Sequence, residues 1–191
     1  MNFSVAYALM FCAGVFFPAN LRWKVPFAVM FLTDLALNAY YQYAKHYDVF
    51  SGSALVYLLG NYLGYAVLLA LGRCFKPSSH FLGLLGGGVF GALLFYFITN
   101  TFSWLLNPFR NPEYTRDLAG WIVALTKGTS GFPQTWEFFR NTLLSGGLFT
   151  ALFAGAWKAT VPSESPREKG EEAHEPAAVP EGAGEPEEAK A

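Results

Sequence analysis

Ionisable and amide side chains inside apolar runs are the residues of this chain best suited to chemistry. Asp34 stands near the middle of the run 25–41, and Asn38 follows four residues later, on the same helical face. A central aspartate costs about 2.5–3.5 kcal/mol to place in a bilayer, so it usually faces a protein interior or cavity and has a partner. The pair therefore indicates either a solute or ion contact, or a structural pair that fixes helix packing.

A second polar cluster lies at the start of the last apolar run, in TWEFFRNTLLSGG (135–147). Glu137 and Arg140 are three residues apart, which is close enough on a helix for a local ion pair. Near a helix start, Glu137 is favoured by the helix dipole and can reach water. Arg140 and Asn141 lie deeper, and we expect Arg140 to be held by Glu137, by Asp34 of another helix, or by an anionic solute.

Amide side chains alternate with aromatic rings on two further helical faces. The two series are Tyr57, Asn61 and Tyr65 in one run and Tyr96, Asn100 and Trp104 in the next, with Thr99 and Ser103 beside the second. An amide between rings is typical of a small-molecule pocket, which has apolar walls and few polar groups. Asparagines also hydrogen-bond between helices, and Tyr and Trp mark membrane interfaces. The pattern thus predicts either a solute pocket or a polar helix-packing network.

Small residues recur every four positions in three runs, a spacing that lets helix backbones approach closely in lipid. The series are Gly83, Gly87 and Gly91, then Gly60 and Gly64, then Ser4, Ala8 and Cys12. They predict tight helix packing or a docking face for another membrane protein.

Several function classes lack their signatures in this sequence. It contains no Walker loop, nucleophile elbow, metal-ligand spacing or basic nucleic-acid patch. Cys12 and Cys74 are too few and too far apart for a disulfide framework or a zinc site. We therefore expect no catalytic site, no metal, no cofactor and no nucleic-acid partner.

Long apolar runs are the elements that must position these side chains. Hydrophobic residues make up 53% of the chain and charged residues 14%, against roughly 25% charged in soluble domains. Crossing about 30 Å of hydrocarbon takes roughly 17–25 apolar residues, and only a helix satisfies the backbone within such a run. The sequence predicts an all-α, polytopic transmembrane bundle of about six helices, in a multi-pass protein of the cell (inner) membrane. The predicted helices cover 3–17, 25–41, 54–71, 81–104, 112–126 and 136–157.

The fifth predicted helix differs from the others. Asn111-Pro112-Glu113 offers a capping side chain, a proline at the first helical position and an acid in the first turn, and Lys127-Gly128 offers a stop. About 14 residues give roughly 21 Å, which is short for a span. It is expected to be a short span, a re-entrant element or an interfacial helix anchored by Trp121.

Charge divides the chain into a domain, 1–160, and a tail, 161–191. The tail holds nine of the 14 acids and has a net charge of −6, whereas the domain has +5. Rich in Glu, Ala, Pro and Gly and lacking aromatics, the tail is predicted to be disordered. Basic residues flanking the six predicted runs divide five to four between the two sides, so the positive-inside rule sets no orientation.

Two motifs resemble those of an uncharacterised bacterial membrane-protein family, a domain of unknown function. They are FITNTFSWLLNP (97–108) and FFRNTLLSGGLFTALFAG (138–155). The stretches NFSVAYALMFCAG and LTDLAL match the start of that family, and the resemblance covers most of 2–156. It implies the motif positions Asn2, Asp34, Thr99, Asn100, Trp104, Phe139, Arg140, Asn141 and Thr142. Where members often have an Asp after FFRNTLL, this chain has Ser145-Gly146-Gly147, so no proton or ion role is expected there.

The six-helix plan is similar to that of the substrate-binding (S) components of energy-coupling factor transporters, which is a likeness of architecture alone. Those proteins bind vitamins or other small solutes and dock on a coupling subunit through small residues of the first helix. The resemblance implies a bilayer, a small-molecule solute and a membrane coupling partner, with Ala8 and Cys12 at the docking face. The alternative is a non-transporting structural or interaction protein, whose polar residues and glycine faces serve packing or docking.

Overall fold

A computed structural model describes residues 3–160 as six α-helices, with no strand among them. The helices are α1 (Ala6–Phe16), α2 (Lys24–Ala44), α3 (Gly52–Gly72), α4 (Phe81–Leu106), α5 (Leu118–Thr126) and α6 (Thr135–Thr160). The all-α, six-helix prediction is confirmed. The predictions for Asn2 and for the tail 161–191 lie outside the described residues.

The 11-residue helix α1 is the centre of the bundle. Nine of its 11 residues are buried, and it contacts α2, α3, α4 and α6. It ends one residue earlier than predicted because Phe17 precedes Pro18 and takes an extended conformation, as pre-proline residues usually do. Its buried side chains belong to two hydrophobic clusters, one around Met10 and Leu68 and one around Phe11 and Leu84.

Glycines bring the helix backbones into contact at two crossings. A Cβ on Gly72 would overlap the carbonyl oxygen of Phe11, and a Cβ on Gly14 would overlap that of Leu69, so α1 and α3 touch only because both are glycines. At the crossing of α4 and α6, a Cβ on Gly88 would overlap the Thr150 side chain. These contacts hold α1, α3, α4 and α6 in one close-packed group.

The second helix is attached differently from the other long helices. Pro26 is its only buried residue, and α1 is the one helix that it approaches along its backbone. Its link to α3 is a side-chain contact, in which the Tyr62 hydroxyl donates to Asp34 Oδ2 at 2.9 Å. Most of α2 therefore lies outside the close-packed group, with its large apolar side chains exposed.

The fifth helix begins at Leu118 rather than at 112, and the predicted cap is wrong. Asp117 is the N-cap, since its Oδ1 accepts from the Gly120 backbone N–H at 2.7 Å. Asn111, the expected cap, is instead held in the preceding loop by the side chain of Asn107. With nine residues α5 is about 13 Å long, far short of a span.

The remaining helices extend a few residues beyond their predicted ends. α3 starts at Gly52 because Ser51 caps it, with Ser51 Oγ accepting from the Ala54 N–H at 3.3 Å. α4 continues to Leu106, where Asn107 takes the left-handed conformation (φ 39°) that commonly closes a helix. Two helices, α3 and α4, are long and apolar enough to cross a membrane.

Candidate solute cavity

A cavity of about 730 Å³ lies at the end of the bundle where α4 finishes and α3 and α6 begin. Its walls are α3, α4 and α6, and Tyr7 of α1 lies at its inner end. Its roof consists of two segments, the α4–α5 loop (107–117) and the α5–α6 loop (127–134). The volume falls within the usual range of small-molecule pockets, roughly 300–1,000 Å³.

Nine of the 20 residues that line the cavity are aromatic. They include Tyr57, Tyr65, Phe95, Tyr96, Phe109 and Phe138. Tyr65 and Phe95 stack across the α3–α4 contact, with ring centroids 5.2 Å apart and planes 21° apart. Tyr7 also packs on Phe95, with ring centroids 4.8 Å apart. Ring contacts thus hold Tyr65 and Phe95 in place within the wall.

Uncharged polar groups are placed between these rings. Within residues 3–160 the Asn61 side chain forms no hydrogen bond, so its donor and acceptor sides are both available to a ligand. On α4, the amide nitrogen of Asn100 donates to the Tyr96 carbonyl at 2.8 Å, and Thr99 Oγ1 donates to the Phe95 carbonyl at 2.9 Å. Among the described residues, no group of three or more His, Cys, Asp or Glu side chains could hold a metal ion.

Hydrogen bonds fasten the roof segments to α4 and to each other. Trp104 Nε1 donates to the Thr115 carbonyl at 2.7 Å, and the Tyr96 hydroxyl donates to the Leu125 carbonyl. The two loops are joined where the Ser130 backbone N–H donates to Glu113 Oε1 at 2.9 Å. That hydrogen bond lowers the pKa of the Glu113 carboxyl. We call this contact the roof latch.

Of the residues singled out from sequence, Asn61 and Asn100 line the cavity together, along with the rings on either side of them. Trp104 does not line it but holds the roof through Thr115. Asp34 and Asn38 lie on α2, outside the cavity lining, where Asp34 is bonded to Tyr62. The structure therefore separates the amide–aromatic series from the charged residue that the sequence placed beside them.

Arg140 is not a partner of the predicted acids. It is exposed, and among residues 3–160 it forms no ion pair with Glu137 or Asp34. Phe138 faces the cavity, and at 100° per residue Arg140 is about 200° further around α6, on its outer face. Asn141 is half-buried and does not line the cavity.

The small-residue series divide between packing and open surface. Ala8 and Cys12 are 1% and 6% exposed, so they pack inside the bundle. Gly87 lies against the rings of Phe11 and Phe75, and Gly91 makes ordinary contacts with α3 side chains. Around Gly83 the space is open.

Sequence reasoning missed the roof of the cavity. Phe109, Asn111, Tyr114 and Phe132 are loop residues without helical periodicity, so no face of a helix pointed to them. Composition could have indicated the roof, because the segment 107–134 lies between two apolar runs and combines three prolines with aromatic and amide residues. Such a segment is typical of an ordered loop with a role of its own.

The fold and the site together define a class, that of an all-α bundle with an uncharged, aromatic cavity covered by two loops. A model described as "Family of unknown function (DUF6580)" matches residues 1–168, and the chain belongs to this family. The prediction that it belongs to a family of unknown function is thereby confirmed. No curated protein and no solved structure matches the chain.

Proposed function

We propose that this is a multi-pass protein of the cell (inner) membrane that binds a small solute in the cavity, in the manner of a transporter's substrate-binding component. One observation carries the proposal. Asn61 presents an amide with no hydrogen-bond partner among the described residues, between two aromatic rings, in a cavity of ligand size. Asn61 is half-buried, so part of its hydration is already lost, and a ligand that hydrogen-bonds to its amide would offset that cost.

The outer surface of the bundle supports the membrane part of the proposal. Large apolar side chains are exposed along the helices, among them Leu32 (63%), Leu59 (62%) and Leu82 (66%). Exposure of this many large apolar side chains is typical of a surface covered by lipid or by another protein. We assign five spans, α1 to α4 and α6. The 11-residue α1 is too short to span the hydrocarbon alone and crosses inside the bundle, where nine of its residues are buried. α5 lies at the cavity end, between the two roof segments.

The five-span arrangement puts the cavity at one face of the membrane. The N-terminus of α1 and the loops 45–51 and 107–134 are then on the cavity side, and the loops 17–23 and 73–80 are on the other. Lys127 and Lys158 exchange sides relative to a six-span count, so the flanking basic residues still divide five to four. Orientation therefore has to be measured.

The test is whether a small molecule is bound, and whether it depends on Asn61. We would purify the full chain in lipid nanodiscs and detect bound solute by native mass spectrometry. Asn61→Leu keeps the side-chain volume but removes the amide, and we expect it to lose the solute. Asn38→Leu removes a comparable amide that does not line the cavity, and we expect it to retain the solute. An empty wild-type protein, or equal loss in both variants, would contradict the proposal.

A second candidate, a non-transporting structural or interaction protein with a coupling or other membrane partner, is favoured by the environment of Asp34. That side chain is bonded to Tyr62, so one of the expected solute contacts serves helix attachment instead. The exposed apolar length of α2 leaves room for a partner helix. In that case the purified protein would contain no solute, and Asn61→Leu would change neither its stability nor its associations.

A further inference from the structure

We infer that the solute taken by this cavity is an uncharged, planar heteroaromatic molecule with an amide-like edge. This inference rests on the proposed function and names its ligand class. It follows from three properties of the lining: its charge, its shape and the position of its amides.

The lining is without ionisable acids and bases. None of the 20 residues that line the cavity is Asp, Glu, Lys, Arg or His. The roof segments carry five charged residues, none of which lines the cavity: Arg110, Glu113, Arg116, Asp117 and Lys127. Glu113 is bonded to the Ser130 backbone N–H, and Arg140 lies on the outer face of α6. A charged solute would lose its hydration here without gaining a counter-charge, and the attraction of a cation to ring faces is smaller than the cost of removing that cation from water. The cavity therefore selects against both anions and cations.

The shape of the lining favours a flat solute. Tyr65 and Phe95 stack nearly parallel, and Tyr57 is held by Phe109 of the roof, with ring centroids 6.0 Å apart. Because Tyr65 and Phe95 cover each other, the exposed ring surface belongs to other lining residues, among them Tyr57 (45% exposed) and Phe109 (53% exposed). A planar molecule stacks on such faces over its whole area, whereas a globular aliphatic one touches only part of them.

The amides determine which edge the molecule presents. Asn61 stands one helical turn from Tyr57, so a solute stacked on the Tyr57 ring reaches the free amide of Asn61 through an edge. The Asn61 side chain offers a donor and an acceptor side by side, which matches a primary amide, a lactam or a ring with adjacent N–H and carbonyl groups. Asn100 has its nitrogen bound to the Tyr96 carbonyl, which leaves its oxygen as a further acceptor.

Two series of probes that differ mainly in charge test the inference. One comprises nicotinamide, nicotinate and 1-methylnicotinamide; the other comprises indole-3-acetamide, indole-3-acetate and tryptamine. Each contains a neutral amide, an anion and a cation on nearly the same ring. Binding to the full chain in nanodiscs would be measured by equilibrium dialysis, alongside mass spectrometry of any co-purified solute. We expect the neutral amide of at least one series to bind about tenfold or more tightly than its charged partners.

A charge introduced at the amide supplies the converse test. Asn61→Asp places a carboxylate in the cavity and should shift preference towards the cation of each series. Asn141→Asp introduces the same charge on α6 outside the cavity and should leave the preference unchanged. Unfolding midpoints of both variants would show that each is folded.

The outcomes separate this inference from the proposed function. A neutral planar solute, co-purified or bound from the series, supports both. A charged or aliphatic co-purified solute, or equal binding within each series, overturns the inference while the proposed function stands. A protein that carries no solute and binds no probe overturns both.

Discussion

At the residue scale, the crossing of α4 and α6 depends on Gly88. The Thr150 side chain occupies the space that a Cβ at this position would need. Thr150 is fully buried, and a Cβ on Gly88 would lie only 2.7 Å from Thr150 Cβ, so rotating the Thr150 side chain would not remove the overlap. We expect Gly88→Ala to destabilise the protein by about 1–3 kcal/mol through overpacking.

Gly83 is the matched control for this substitution. It lies in the same helix with no atom near the position of a Cβ. Gly83→Ala should be neutral or stabilising by about 0.5–1 kcal/mol, because alanine loses less backbone freedom in a helix. Thermal unfolding in one detergent would compare the two, and equal midpoints would show that the α4–α6 contact is not as close as described.

At the scale of elements, the hydrogen bond from Tyr62 to Asp34 is the polar attachment of α2 to α3. Phe27 packs on the Tyr62 ring, with centroids 6.0 Å apart, and Phe27 and Met30 of α2 reach the core cluster around Met10 and Leu68. In a double-mutant cycle with Asp34→Leu and Tyr62→Phe we expect a coupling energy of about 1 kcal/mol or more, as for hydrogen bonds to charged groups. Unfolding free energies of the four proteins give this value.

Asn38→Leu is the control partner for that cycle. Asn38 lies one turn from Asp34 on the same helix, and no hydrogen bond from its side chain exists within residues 3–160. Paired with Tyr62→Phe, it should show coupling near zero. If both cycles gave the same coupling, the Asp34–Tyr62 contact would not be what attaches α2.

The roof latch is the second attachment between elements that can be tested. Glu113→Gln weakens the charge-assisted bond to the Ser130 N–H, so the loops 107–117 and 127–134 should separate more often. We expect faster tryptic cleavage at Arg116 and Lys127 at neutral pH. Glu137→Gln removes an exposed acid elsewhere and should leave the cleavage rate unchanged.

The roof latch also predicts that the stability of the protein depends on pH. The Ser130 N–H lowers the pKa of Glu113 from its ordinary value of 4.5, so the carboxylate stabilises the fold at neutral pH. This contribution is lost as the pH falls below about 4.5 and through the lowered pKa of the folded state. The difference in unfolding midpoint between wild type and Glu113→Gln should therefore shrink over that range. Asp117, whose pKa is lowered by the Gly120 N–H, titrates in both proteins, so its contribution to this difference cancels. A constant difference would contradict the latch.

At the scale of the whole molecule, the two ends of the bundle should face opposite sides of the membrane. Cys74 is exposed at the end away from the cavity, and Cys12 is buried. Lys127 is exposed in the roof. Two proteins would be compared: the wild type, in which Cys74 can be labelled, and a Lys127→Cys variant that lacks Cys74. A membrane-impermeant maleimide should label one of these proteins in intact cells and the other only after lysis.

This labelling has a simple control and a clear contrary result. Cys74→Ser alone should remain unlabelled before and after lysis, because Cys12 is enclosed by the bundle. Labelling of both positions from the same side would overturn the five-span arrangement. The side that labels first also gives the orientation, which the basic residues leave undetermined.

Much of this fold could be predicted from the sequence, because apolar run length and four-residue spacing are local properties. They located six helices and the Asn61 and Asn100 faces that meet at the cavity. The position of Arg140 could not be predicted in this way. The spacing of two residues on a helix gives the angle between them around the helix axis. Which side of α6 faces the bundle interior depends on its contacts with α4. The predicted start of α5 was wrong for a similar reason. Asn111, which was expected to cap the helix, is instead hydrogen-bonded to the side chain of Asn107.

The central position of α1 has a consequence for how the protein is made. α1 is synthesised before the other five described helices, but its partners include α6, which ends at Thr160. At 5–20 residues per second, translation takes roughly 8–30 s to supply them. During that time an 11-residue helix, too short to cross hydrocarbon unaided, must wait in or beside the membrane. The final assembly step is then the closing of α3, α4 and α6 around a helix made long before.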